Sequence, residues 1–219
     1  MTINSITNLN AFKVLDENTN TIYYGCDQEW YSTEWQRLSG CGPTAATNIV
    51  LYLSHTHTAF RLGKGFIRKE GVLSLMEEIW EYVTPTTEGI KTTQIFYEAL
   101  LIYANSKGFD YEFAYCDVPE DKSQRLELSQ VLNFLKKALE NNTPIAFLNL
   151  CNGKEENLEE WHWVTIISLE HAEDEKSAFI KVLDEGQIKK IDLALWYRTT
   201  TLGGGFVYFT VRIVSIVQQ

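Results

Sequence analysis

The chain has 219 residues, with 19 lysines and arginines against 29 aspartates and glutamates; its formal net charge of −10 repels a polyanion and argues against a nucleic acid partner. A content of 45% hydrophobic, 22% charged and 13% aromatic residues fits one globular domain with a sizeable core and excludes a disordered chain. No apolar run approaches the ~18 to 20 residues that cross a bilayer, and Met1 to Asn10 lacks the basic and apolar regions of an export signal. The expectation is therefore a cytoplasmic protein with no membrane insertion, whose four cysteines are reduced thiols too widely spaced for a structural zinc site.

In chain order, short strands are expected around Ala11 to Leu15 and Thr21 to Tyr24, followed by an irregular loop rich in Trp and Tyr. After Gly40-Cys41-Gly42, Pro43 suits the first turn of a helix in which Ala45, Ala46, Ile49, Val50 and Leu53 bury one face. Further helices are expected over Gly71 to Val83, Thr93 to Lys107 and Leu128 to Glu140. From Pro144 the pattern changes to β-branched and apolar runs: Ile145 to Cys151, Trp161 to Leu169, Ala178 to Leu183, Gln187 to Ile191 and Phe206 to Val214. One or two helical turns fit Asp192 to Arg198, and Gly203 to Gly205 reads as a turn or bulge because no Lys-Ser/Thr follows it. Helices first and strands second is the segregated layout of an α+β domain: a helical lobe over about 28–142 and an antiparallel sheet over about 144–216, within one domain spanning 1–219.

Cys41 is the cysteine whose surroundings point to chemistry. It stands at a helix entry, where the peptide dipole favours a thiolate, although a tight turn around a buried thiol reads the same way. Flanking glycines would let a substrate backbone approach. Of the four histidines, His55 and His57 lie at the far end of that helix, ~20 Å away at ~1.5 Å per residue, and His171 falls in a polar turn. His162 opens a strand between two tryptophans, where a rigidly held side chain can reach a cleft. A hairpin register pairing His162 with Asp184 would put the carboxylate beside the imidazole, the arrangement that orients a catalytic base; Asp184-Glu185-Gly186 equally reads as an ordinary hairpin corner. Gln36, five residues upstream of Cys41, is the candidate side-chain donor to an oxyanion, alongside the Cys41 N–H.

Gln36, then Ser39-Gly40-Cys41-Gly42-Pro43-Thr44-Ala45-Ala46, His162-Trp163-Val164-Thr165-Ile166 and Val182-Leu183-Asp184 together resemble the papain-like cysteine peptidase superfamily, in its bacterial branch similar to the double-glycine leader peptidases. The resemblance covers about residues 28 to 52 and 144 to 191. It implies a papain-like α+β fold with Cys41 as nucleophile, His162 as general base and acid, Asp184 as orienting residue and Gln36 as oxyanion donor. It also implies a peptide or protein substrate and no metal or organic cofactor. The pattern departs from that branch in placing Gly40, not an acidic residue, before Cys41, and Gln36 one place closer. Acyl transfer to an amine or thiol by the same groups, or a non-catalytic peptide-binding module on this fold, remain open alternatives.

Two other features bear on a cleft. Glu155, Glu156, Glu159 and Glu160 crowd the segment before His162 and would favour cationic substrates if they border it. Trp30, Tyr31 and Trp35 would either line a substrate groove or pack over the first helix. Cys26, Cys116 and Cys151 have no such context and read as structural.

Overall fold

The computed structural model describes residues 1–56, 68–172 and 176–211. A short strand β1 (Thr2–Ser5) precedes a hairpin of β2 (Lys13–Asp16) and β3 (Thr21–Tyr24). Where the sequence suggested an irregular loop, there is a six-residue helix, α1 (Glu34–Ser39). Its start is fixed by a reciprocal cap, in which Thr33 Oγ1 accepts from the Gln36 N–H and Gln36 Oε1 accepts from the Thr33 N–H. After Gly40 come α2 (Cys41–Thr56), α3 (Lys69–Trp80), α4 (Thr93–Ser106), β4 (Tyr111–Val118) and α5 (Leu128–Glu140). The chain continues with β5 (Ile145–Asn149), β6 (His162–His171), β7 (Ala178–Asp184), β8 (Gln187–Asp192), α6 (Leu193–Thr199) and β9 (Gly204–Val211).

The main sheet is antiparallel throughout, in the order β4-β9-β5-β6-β7-β8, with β1 adding to β6 beyond the end of β5. β4 therefore corrects the expected division of the chain: it falls inside the stretch expected to be helical and forms an edge of the sheet. Alternation sorts the strands onto two cores. Ala146, Leu148, Trp163, Val207 and Phe209 face α2, α3 and α4, while Ile145, Phe147, Val164, Ile166 and Phe206 face α5 and α6. The glycine run sits where β9 enters between β4 and β5: a Cβ on Gly203 would lie 1.9 Å from the Val118 carbonyl oxygen, and one on Gly204 2.0 Å from that of Leu148.

α2 departs from the one-faced helix expected. Every residue from Gly42 to Ser54 is buried, because α3, the sheet and the N-terminal segment close around it; Tyr52 stacks on Phe12 at 5.1 Å. Burial on all sides makes α2 a rigid mount for whatever its first residue carries.

Candidate active site

Cys41 is the first residue of α2, partly exposed and not in a disulfide. Its flanking glycines make room for the protein's own neighbours, not for a substrate: a Cβ on Gly40 would meet the Gln36 carbonyl oxygen at 2.4 Å, and one on Gly42 the Ile90 Cδ1 at 2.7 Å. Two turns along the same helix face, buried Asn48 fastens α2 to the rest of the site. Its Nδ2 donates to Thr165 Oγ1 at 3.2 Å on β6, and its Oδ1 accepts from the Cys26 N–H at 2.8 Å.

His162 and Asp184 meet, but not by the direct pairing expected from the hairpin. Ser168 pairs with Lys181, the register then shifts at Ile167, and Thr165 pairs with Leu183. Had the outer register continued unshifted, Thr165 would face Asp184, and His162, three residues on, would point to the opposite side of the sheet. The shift brings His162 and Asp184 to the same side as diagonal neighbours, a separation that long side chains span. His162 Nε2 and Asp184 Oδ1 are 2.7 Å apart, both side chains are buried, and Cys41 lines the same small cavity.

The corner after Asp184 is a two-residue hairpin turn with Glu185 and Gly186 both left-handed, at φ of 50° and 68°. It is braced by the Tyr24 N–H donating to the Gly186 carbonyl at 2.8 Å and by Lys189 Nζ donating to Asp184 Oδ2 at 2.7 Å.

The electrostatics follow from these contacts. Burial alone would push the His162 imidazole down, but the hydrogen bond to the Asp184 carboxylate, with Cys41 close by, raises it from 6.5 to about 10. Burial would raise the Asp184 carboxyl, yet His162 and Lys189 hold it below its ordinary value. Burial pushes the Cys26 thiol far up and the Cys116 thiol to about 11, which makes both inert near neutrality. Cys151 differs from the structural role expected of it: a hydrogen bond from Thr201 Oγ1 at 3.2 Å, with backbone donors around the sulfur, outweighs its partial burial and lowers its pKa.

Gln36 requires a correction. Its Oε1 serves the α1 cap, its Nε2 donates to Glu77 Oε2 at 2.6 Å, and it lines neither cavity at Cys41. The glutamine that shares a small cavity with Cys41, His162 and Asp184 is Gln28, in the 3-10 turn Gln28–Trp30 that leads towards α1. Sequence reasoning passed over it because its distance along the chain from Cys41 carries no periodic signal. Of the remaining histidines, His55 caps the end of α2 through Nδ1 and the Leu51 carbonyl, His171 ends β6, and His57 lies outside the described residues. Glu155 is not a steering charge. It is buried, accepting from the Asn157 and Asp192 N–H groups, while Glu156, Glu159 and Glu160 are exposed.

A cleft of 520 Å³ opens at Cys41, with Trp35, Leu38, Ile90, Trp161 and Trp163 among its walls. Trp163 is buried, donates from Nε1 to the Ile90 carbonyl at 2.7 Å and stacks on Phe96 at 4.3 Å. Trp35 and Trp161 are 46% and 57% exposed, and Trp161 holds a left-handed φ of 54° immediately before His162. The aromatic cluster before Cys41 thus divides: Trp30 and Tyr31 pack inward, and Trp35 lines the cleft.

No family model matches the sequence, and no curated protein matches it. Among solved structures the chain is similar to UfSP from C. elegans, with a TM-score of 0.54 and 12% identity. The match covers 96% of this chain and 34% of that one, so the chain spans about a third of the length of this structural neighbour. The α+β, papain-like arrangement expected from the sequence is the fold of this chain.

Proposed function

We propose that the chain is a cysteine peptidase or amidohydrolase working through an acyl-enzyme on Cys41, in one catalytic domain spanning residues 1–219. The observation that carries the proposal is the meeting of His162 Nε2 and Asp184 Oδ1 at 2.7 Å in a small cavity that Cys41 also lines, beside an open cleft. The papain-like fold supports the reading. The narrower likeness to double-glycine leader peptidases rests only on the motifs around Cys41, His162 and Asp184.

In the proposed reaction, the Cys41 thiolate attacks the carbonyl carbon of a peptide or amide and the carbonyl oxygen becomes an oxyanion. Gln28 and the N–H groups of the first turn of α2 stabilise that oxygen. His162, held as imidazolium by Asp184, gives its proton to the leaving nitrogen as the C–N bond breaks, which leaves a thioester on Cys41. Water then loses a proton to His162 while its oxygen bonds to the acyl carbon. The C–S bond breaks and the imidazolium–thiolate pair is restored.

A thiol-directed acylating probe with intact-mass detection tests the reading. An adduct mapped to Cys41 is expected to form fastest on the wild-type protein, and Cys41→Ala should lose that fast adduct, with both folded by circular dichroism. Equal labelling of the two proteins would refute it.

A further inference from the structure

Asp184 has two carboxylate oxygens, and each is taken. Oδ1 meets His162 Nε2 and Oδ2 accepts from Lys189 Nζ, both at 2.7 Å. Lys189 reaches it by strand geometry: it pairs with Val182 across β7 and β8, so it is the diagonal neighbour of Asp184 on one side, as His162 is on the other. A carboxylate with one partner is free to turn about its final torsion, whereas one gripped at both oxygens has a single orientation. Lys189 also donates to Glu185 Oε2 at 2.7 Å, which ties it to the turn that sets the height of Asp184.

Resting on the catalytic reading above, we propose that Lys189 is a positioning residue, which fixes the Asp184 carboxylate so that Oδ1 stays aligned on His162 and the imidazolium–thiolate pair with Cys41 is maintained. Lys189 touches neither substrate nor the reacting atoms. The charged groups around it are Asp184 and Glu185 at the corner, and Glu156, Glu159 and Lys190, which share a surface cleft with it. A second role for Lys189, as a bare positive charge, makes the opposite forecast. Removing a cation close to His162 would favour the imidazolium and strengthen the pair.

The test is the rate of Cys41 alkylation by iodoacetamide against pH, in wild type, Lys189→Met, Lys189→Arg and Glu185→Gln, with folding followed by circular dichroism. Lys189→Met should slow alkylation at pH 6 about tenfold and move the rate–pH profile to higher pH. Lys189→Arg, which keeps a two-oxygen donor, should restore most of the rate, and Glu185→Gln should leave the profile in place. A profile in Lys189→Met that is unchanged or moves to lower pH overturns the inference, whatever the melting temperature does. Should Lys189→Met fail to fold, an arginine profile displaced as far as about one unit would overturn it. If wild-type Cys41 itself reacts no faster than an ordinary thiol, the catalytic reading is what fails, and the inference falls with it.

Discussion

The two faces of the sheet are built from the same strands and finish differently. Under α5 and α6 the strands close over Trp196, fully buried, with Nε1 donating to Asn149 Oδ1 at 2.7 Å and its ring edge-on to Phe147 at 4.7 Å. Under α2 they close over Trp163 in the same manner, but the layer stops short at Cys41, where Trp35, Leu38 and Trp161 stay exposed around a cleft. A tryptophan with its N–H satisfied and its ring packed contributes stability. One left open beside a partly exposed thiol is better placed to hold a substrate. Stability and the proposed chemistry thus fall on different faces of one sheet, and substitutions should separate them.

The largest separation is expected from Cys41→Ala, which should lower peptidase or amidase turnover at least ~10⁴-fold while the unfolding free energy from urea titration stays within ~0.5 kcal/mol of wild type. Trp196→Ala should do the reverse, costing about 3 to 5 kcal/mol in denaturant unfolding, with the alkylation profile of Cys41 retained below the transition. Gln28→Ala should lower kcat by about 10² to 10³ with little change in KM. Gln36→Ala should spare kcat and cost about 1 kcal/mol through the lost cap of α1; a kcat loss in Gln36→Ala matching that in Gln28→Ala would reverse the assignment.

The pH dependence of stability gives a smaller effect with a fixed sign. Because the fold raises His162 from 6.5 to about 10, its contribution is fully present below about 6.5 and is lost as pH rises towards about 10. The stability gap between wild type and His162→Gln should therefore narrow over that window. Smallest of all, Trp161→Ala should change stability by no more than ~0.5 kcal/mol and act instead on KM.

Most of the site was legible in the sequence because its parts are local. A thiol between two glycines ahead of an apolar helix, a histidine opening a β-branched run and an aspartate at a hairpin corner each declare themselves within a few residues. The exact pairing of His162 with Asp184 was not legible, since a bulge at Ile167 leaves no mark in composition and moves the register by one. Lys189 was not singled out in the sequence, because its place beside Asp184 depends on the pairing of Asp184 with Gln187 across a two-residue turn. Gln36 misled because Thr33-x-x-Gln36 is also a helix cap, and that is how the structure uses it. β4 escaped because its outward side is aromatic too: Phe113 and Tyr115 stack on Tyr97 at 4.1 and 5.4 Å, which erases the apolar–polar alternation that marks a half-buried strand.

The central claim is that Cys41 and His162 form an ion pair in the resting protein. It is tested most directly by measuring iodoacetamide modification from pH 4 to 9, resolved by mass spectrometry over Cys26, Cys41, Cys116 and Cys151. Cys41 should react fastest, above all at the acid end of the range, and should lose that advantage in His162→Ala. Cys151 should follow, and the buried Cys26 and Cys116 should lag. A Cys41 profile that matches an ordinary thiol, or one indifferent to the loss of His162, would contradict the account.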